Sequence, residues 1–185
     1  MPKKLKILGI NGSASKHSSN LALLNQIAKL GKPHFELTII YDLTILPHFQ
    51  TELAANDVPD EVTKFHNSIE GTDGVVICTP EYVFSVPSGL KNAIEWCVST
   101  TVFSHKPVAT IIAAASGEKA YESLSLIMTT IEAVLPEESK LLIQGAKGKV
   151  NVNSEITDST TLEQLENVIQ SLISTIKNED INGYI

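Results

Sequence analysis

Three short stretches of this chain hold residues whose types and spacing suit chemistry. The first is Gly12-Ser13-Ala14-Ser15-Lys16-His17-Ser18-Ser19-Asn20, with four hydroxyls, a glycine turn and a helical apolar pattern just beyond. Unsatisfied N–H groups and the helix dipole favour an anion at such a place, so the loop suits a dianionic phosphate. Lys16 adds a positive charge, and His17 is the one histidine in this loop. The stretch has neither the three glycines of a dinucleotide fingerprint nor the Gly-Lys-Ser/Thr ending of a Walker loop. Serines there also serve as plain helix caps. On spacing alone the two readings weigh equally, although four hydroxyls exceed what a cap needs.

The second stretch is Thr79-Pro80-Glu81-Tyr82-Val83-Phe84-Ser85-Val86-Pro87. It is stiffened by proline and carries two aromatics, Tyr82 and Phe84, so it can line an edge and a face of a planar heterocycle. Glu81 needs no general-base role in that picture; orienting the loop through hydrogen bonds is the role open to it. Taken alone, aromatics in a loop more often simply pack. The third stretch, Ala115-Ser116-Gly117-Glu118-Lys119-Ala120, is small and polar, and by itself reads as a turn.

The elements between these stretches set where they lie. Leu5 to Ile10 is a short apolar run, read as a buried strand. Leu21, Leu24, Ile27, Ala28 and Leu30 have helical spacing, with Gly31 and Pro33 as stops. Phe35 to Tyr41 follows as a strand, then an irregular stretch from Asp42 to Asn56 broken by Pro47. Asp57 is expected to cap a helix with Pro59 inside it, running to Gly71. Gly74 to Cys78 is a wholly apolar strand, Pro87 to Ser99 a helix, and Val108 to Ala115 a strand. A helix from Ala120 to Val134, a strand from Leu141 to Gln144 and a final helix complete the order. Thr160 and Glu163 form a candidate capping box for that last helix, whose apolar face runs from Leu162 to Ile176.

Such alternation of strand and helix implies one α/β domain over residues 1–185, a three-layer sandwich around a five-stranded parallel sheet. The simplest order is the flavodoxin-like 2-1-3-4-5, which binds ligands at the carboxyl ends of its strands. The three loops all fall at that edge.

Composition limits the partners. Hydrophobic residues make up 43% and charged residues 19% of the 185, ordinary for a globular protein. No apolar run approaches the roughly 20 residues that span a bilayer. The apolar stretch after Met1-Pro2-Lys3-Lys4 is too short for a signal-peptide core, so a cytoplasmic protein is expected. A net charge of −7 argues against nucleic acid and anionic membranes as partners. Cys78 and Cys97 lack metal-ligand spacing and read as buried thiols; no metal is expected. His34, His48, His66 and His105 are scattered, which suits surface or loop positions. Asp42, just past the second strand, sits where a dinucleotide fold keeps its ribose acid, but the glycine fingerprint that goes with it is absent.

GSASKHSSN, PEYVFSVPSGLKNAIEW and ASG after the fourth strand together resemble the NADPH-dependent FMN reductase family, which includes quinone, azo-dye and chromate reductases. The likeness runs from Leu5 to Val150 and is strongest over Pro80 to Trp96. It implies that Ser13, Ser18 and Asn20 contact the FMN phosphate. It further implies that Pro80, Glu81, Tyr82 and Val83 run along the isoalloxazine ring, with Ser116 and Gly117 near its other edge. Ser15 and Phe84, in the same loops, and Leu21, just past the first, complete the candidate cofactor-binding set.

The resemblance implies an NAD(P)H oxidoreductase that passes electrons through FMN to a small-molecule acceptor: a quinone, azo compound, metal oxyanion or free flavin. The flavin carries the chemistry, so no side chain is assigned as a catalytic acid or base. A flavodoxin-type electron carrier is the alternative; a phosphoacceptor receiver would need an aspartate where Thr79 stands. The family usually has arginine at the position of Ser15, asparagine at Val83, and a glycine pair at Glu118 and Lys119. Loss of a bidentate phosphate partner lowers affinity. In the family, the loop matching Leu43 to Ala55 packs at a two-fold contact beside the partner's flavin, which implies a homodimer or dimer of dimers. Leu46, Phe49 and Leu53 would lie in that contact. The helix of Leu90, Ala93, Ile94, Trp96 and Cys97 would face it, unless these residues pack in the core.

Overall fold

The computed structural model describes residues 4–15 and 18–182; Lys16 and His17 lie outside the described residues. The elements, in chain order, are β1 (Leu5–Asn11), α1 (Ser19–Gly31), β2 (Phe35–Ile40), α2 (Thr51–Asn56), α3 (Asp60–Glu70) and β3 (Gly74–Thr79). They continue with α4 (Ser88–Glu95), β4 (Val108–Ala114), α5 (Glu118–Thr130), β5 (Lys140–Gln144) and α6 (Ser159–Asn182). The five strands pair in parallel in the order β2-β1-β3-β4-β5, as expected from the alternation.

Period-2 alternation divides the apolar strand residues between two cores. Val75 and Ile77 of β3 face one core with Val62 and Phe65 of α3, Leu90 of α4 and Leu124 of α5. Val76 and Cys78 face the other with Leu23 and Ile27 of α1 and Leu165 and Ile169 of α6. This explains why β3 is apolar at nearly every position: both of its faces are covered. Both thiols are buried, and burial pushes Cys78 well above its usual range and Cys97 up to about 12.

The structure corrects several element ends, each for a tertiary or capping reason. The stretch expected to be irregular contains the short helix α2, and Asp57 closes it by donating its N–H to the Leu53 carbonyl instead of opening α3. Pro59 takes the cap position of α3, with Asp60 and Glu61 as the acidic first turn. Helix α4 stops at Glu95, four residues early, because Trp96 turns wholly into the core and donates its indole N–H to the Pro47 carbonyl at 2.8 Å. Helix α5 stops at Thr130 where Glu132 adopts a φ of 62°. The Ala133 N–H reaches the Met128 carbonyl and the Glu132 N–H the Thr129 carbonyl, the bond pair of a Schellman ending. The cap of α6 is Asp158, which accepts from the Thr161 N–H at 2.9 Å, and not Thr160.

Trp96 also settles one expectation about surfaces. It is fully buried, and Phe49 packs edge-on against it with ring centroids 5.2 Å apart. The Phe49 N–H donates to Asn92 Oδ1 at 2.8 Å, and Asn92 Nδ2 donates to the Pro47 carbonyl. Leu43 and Leu46 are buried as well, so much of the 43–55 segment is bound to its own α4. Of the four scattered histidines, His34, His48 and His105 are exposed. His66 is half-buried, with a ring nitrogen 3.0 Å from the Trp96 carbonyl, and burial lowers its pKa.

Candidate active site

Strands β1 and β3 are neighbours, so the loop after β1 and the loop between β3 and α4 meet at the carboxyl edge of the sheet. A cleft of about 400 Å³ opens between them, walled by Asn11 to Ser15, Leu21, Tyr41 to Thr44, Tyr82 and Pro87 to Leu90. That size is within the range of small-molecule sites. Among the described residues that line it there is no lysine or arginine.

Asn11 organises the first loop. Its buried amide donates to the carbonyls of Tyr41 at 3.3 Å and Ser13 at 3.4 Å, and its oxygen accepts from the Ser13 N–H at 3.3 Å. Ser13 Oγ accepts from the Ser15 N–H, and Ser18 Oγ caps α1 by accepting from the Leu21 N–H at 3.1 Å. Accepting a bond leaves each hydroxyl its hydrogen to donate, so capping and anion binding are compatible roles for the same serine. Gly12 is required by proximity, because a Cβ there would lie 2.5 Å from Thr79 Oγ1 and 2.9 Å from Leu90 Cδ2. Asn20 is differently placed: its amide donates to the Ala113 carbonyl and its oxygen accepts from Cys78 Sγ, both at 3.3 Å. Its side chain thus pins the start of α1 onto β3 and β4.

In the second loop, Tyr82 and Ser85 exchange backbone hydrogen bonds of 2.9 and 3.0 Å around a two-residue turn. Both central residues have positive φ, 50° at Val83 and 56° at Phe84, as in a type I′ turn. That turn favours Asn, Asp and Gly, and a β-branched residue in the left-handed region is strained. The strain bears on the departure from the family's asparagine at Val83, whose side chain is 95% exposed. Val83→Asn is expected to relieve on the order of 1 kcal/mol, raising the midpoint of thermal unfolding by about 2–4 °C. An unchanged or lower midpoint by calorimetry would rule out strain at this turn.

Behind the turn, Glu81 does what its carboxylate suggested, but over a longer reach. Its Oε2 accepts from the N–H groups of Lys119 at 2.8 Å and Ala120 at 3.0 Å, in the first turn of α5. Gly117, at the cap position with φ of 92°, brings no side chain to that helix end. A Cβ at Gly117 would lie 2.7 Å from Leu142 Cδ1, so the loop after β4 is packed hard against β5.

The structure therefore brings Ser13, Ser15, Leu21 and Tyr82 to the cleft wall. Ser18 caps α1, Asn20 turns into the core, Pro80 is buried, and Glu81 and Gly117 meet at the start of α5. Val83, Phe84 and Ser116 are exposed. Sequence reasoning missed Asn11, the 41–44 wall and the start of α4. Asp42 Oδ1 accepts from the Thr44 N–H and hydroxyl, an Asx-turn legible as Asp-x-Thr. Asn11 was visible only as the end of a strand; its role needs Tyr41 beside it.

A model of the family described as NADPH-dependent FMN reductase matches residues 5–148. The chain is similar to an NAD(P)H-dependent FMN reductase of Pseudomonas aeruginosa, with 27% identity over 178 residues, covering 93% of this chain and 95% of the relative. It is likewise similar to a quinone reductase of Escherichia coli K12, with 27% identity over 172 residues, covering 89% and 92%. Among solved structures, FerB of Paracoccus denitrificans, described as a flavoenzyme NAD(P)H:(acceptor) oxidoreductase, superimposes with a TM-score of 0.83 at 26% identity. That superposition covers 94% of this chain and 98% of FerB.

Proposed function

The chain belongs to the NADPH-dependent FMN reductase family, and on that premise we propose that its cleft seats FMN, with the phosphate on the first loop. The ring then lies along Pro80 to Phe84, with Ser116 and Gly117 near its far edge. The chain is an oxidoreductase with FMN as cofactor and NAD(P)H as electron donor. The observation that carries the site assignment is that Ser13 and Ser15 line the cleft near the N-terminus of α1, the helix that Ser18 caps. Neutral hydroxyl donors beside a helix N-terminus fit a dianion in a chain of net charge −7, where the local bonds must act against the overall field.

When bound, FMN would supply the redox chemistry between NAD(P)H and a second substrate. The residues of the chain bind and orient. Ser13, Ser15 and Ser18 donate to the phosphate, Asn11 holds their loop in shape, and Tyr82 walls the cleft. The acceptor is proposed to be a small planar oxidant of the quinone class, supported by the likeness to a quinone reductase. NADPH oxidation by purified protein with a benzoquinone as acceptor tests this. Protein that holds FMN yet oxidises neither NADH nor NADPH would instead be an electron carrier.

Ser15, exposed at the cleft wall, stands where the family's arginine pairs with phosphate. Ser15→Arg is expected to tighten FMN binding by about 1–2 kcal/mol, or roughly tenfold, measured by fluorescence quenching in low salt. An unchanged dissociation constant would mean that the donors already present saturate the phosphate.

We further propose a cytoplasmic homodimer, alone or paired into a tetramer, formed through the 43–55 segment. With Phe49 held on Trp96, Ile45 is the large apolar side chain of that segment left outward, 61% exposed. It borders a groove of about 560 Å³ that also takes in Ile40, Leu46 and Phe65. Light scattering is expected to give twice the chain mass, or four times where dimers pair, and Ile45→Asp to shift it toward monomer. A wild-type monomer with full reductase activity would refute the assembly.

A further inference from the structure

Helix α5 begins without a cap of its own. Gly117 at its cap position has no side chain, yet the N–H groups of Lys119 and Ala120 are both satisfied. The acceptor is one oxygen of Glu81, which comes from the loop after β3, 38 residues away in sequence. The loop after β3 and the loop after β4 are therefore joined by a carboxylate bound to two amides at the positive end of a helix.

The joint has geometric consequences on both sides. On its own loop, Glu81 lies between buried Pro80 and Tyr82, whose backbone bonds with Ser85 close the strained turn. On the other, Gly117 is the cap residue of α5, at φ of 92° with no room for a Cβ, so the backbone of Ser116 and Gly117 leads directly into the helix that Glu81 holds. The carboxylate also satisfies the anion preference of the α5 N-terminus, leaving that of α1, beside the serine loop, for a ligand phosphate.

We propose that Glu81 is a positioning residue for FMN. It holds the Pro80–Ser85 turn and the Ser116–Gly117 backbone at a fixed separation, so that the isoalloxazine ring enters a preformed slot. This inference rests on the FMN reading of the cleft, because only a ring bridging both loops registers their separation. Glutamine at this position keeps an acceptor oxygen without the charge; alanine keeps neither.

The test uses the full chain as wild type, Glu81→Ala, Glu81→Gln and, as a control, Asp158→Ala, which removes the cap of α6 on the opposite face of the sheet. Each is titrated with FMN by fluorescence quenching, alongside thermal unfolding of the apoprotein and amide hydrogen exchange at Lys119 and Ala120. Glu81→Ala is expected to weaken FMN binding by roughly tenfold or more and to speed exchange at both amides. Glu81→Gln should recover most of the affinity, staying within roughly threefold of wild type. Asp158→Ala should lower the unfolding midpoint while leaving FMN affinity unchanged. Wild-type FMN affinity in Glu81→Ala would overturn the inference, as would equal losses in Glu81→Ala and Asp158→Ala at matched stability. Wild-type protein that does not bind FMN would overturn the cofactor reading itself, and with it this inference.

Discussion

Trp96→Ala is expected to cost about 3–5 kcal/mol of stability and to lower the unfolding midpoint by about 6–20 °C. Trp96 is fully buried within the core that α3, α4 and α5 share with the sheet, so its removal would leave a cavity there. The loss would reach beyond the cavity. The indole N–H donates to the Pro47 carbonyl, and the ring is the platform for Phe49, so the 47–49 segment loses two anchors at once. Asn92 retains its own bonds to Pro47 and Phe49, which keeps the segment tethered. Trp96→Phe should therefore recover part of the packing but not the hydrogen bond. Calorimetry on the three proteins distinguishes these contributions; a Trp96→Ala midpoint within a few degrees of wild type would mean that the indole is not a core anchor.

Riboflavin is expected to bind at least about 100-fold more weakly than FMN. The two differ by the phosphate, the one group that the proposed seating places on the hydroxyls of the first loop. Two charge-assisted hydrogen bonds of about 1.5–3 kcal/mol each amount to two or more powers of ten in the dissociation constant. The preference should shrink as salt rises, because exposed Ser15 leaves part of the seat open to screening. Equal titration curves for riboflavin and FMN in low salt would remove the phosphate from the serine loop. FAD, with a second phosphate and an adenosine to house, should also bind more weakly than FMN.

The sequence by itself determined the layers and their order. Period-2 runs such as Gly74 to Cys78 and the 3.6-period face of Leu165 to Ile176 are local patterns, readable without knowing what they pack against. Once strands and helices alternate, handedness and connection rules leave few arrangements, so the 2-1-3-4-5 sheet and its binding edge followed. The candidate loops were legible for the same reason: each is a break in a periodic pattern at the carboxyl end of a strand.

Tertiary structure alone decided where helices end and what the polar side chains in those loops bind. Helix α4 stops where the core accepts Trp96, and propensity holds no record of a partner at Pro47. The family resemblance implies a phosphate contact for Asn20, whose side-chain amide in the fold bonds Ala113 and Cys78 on two strands. Asn11 shapes the first loop through Tyr41, 30 residues on, and Glu81 caps a helix that begins 37 residues beyond it. A hydrogen bond is a contact of about 3 Å with defined direction. Which donor comes within that distance depends on how separate elements dock, a property of the packed chain that no local window contains.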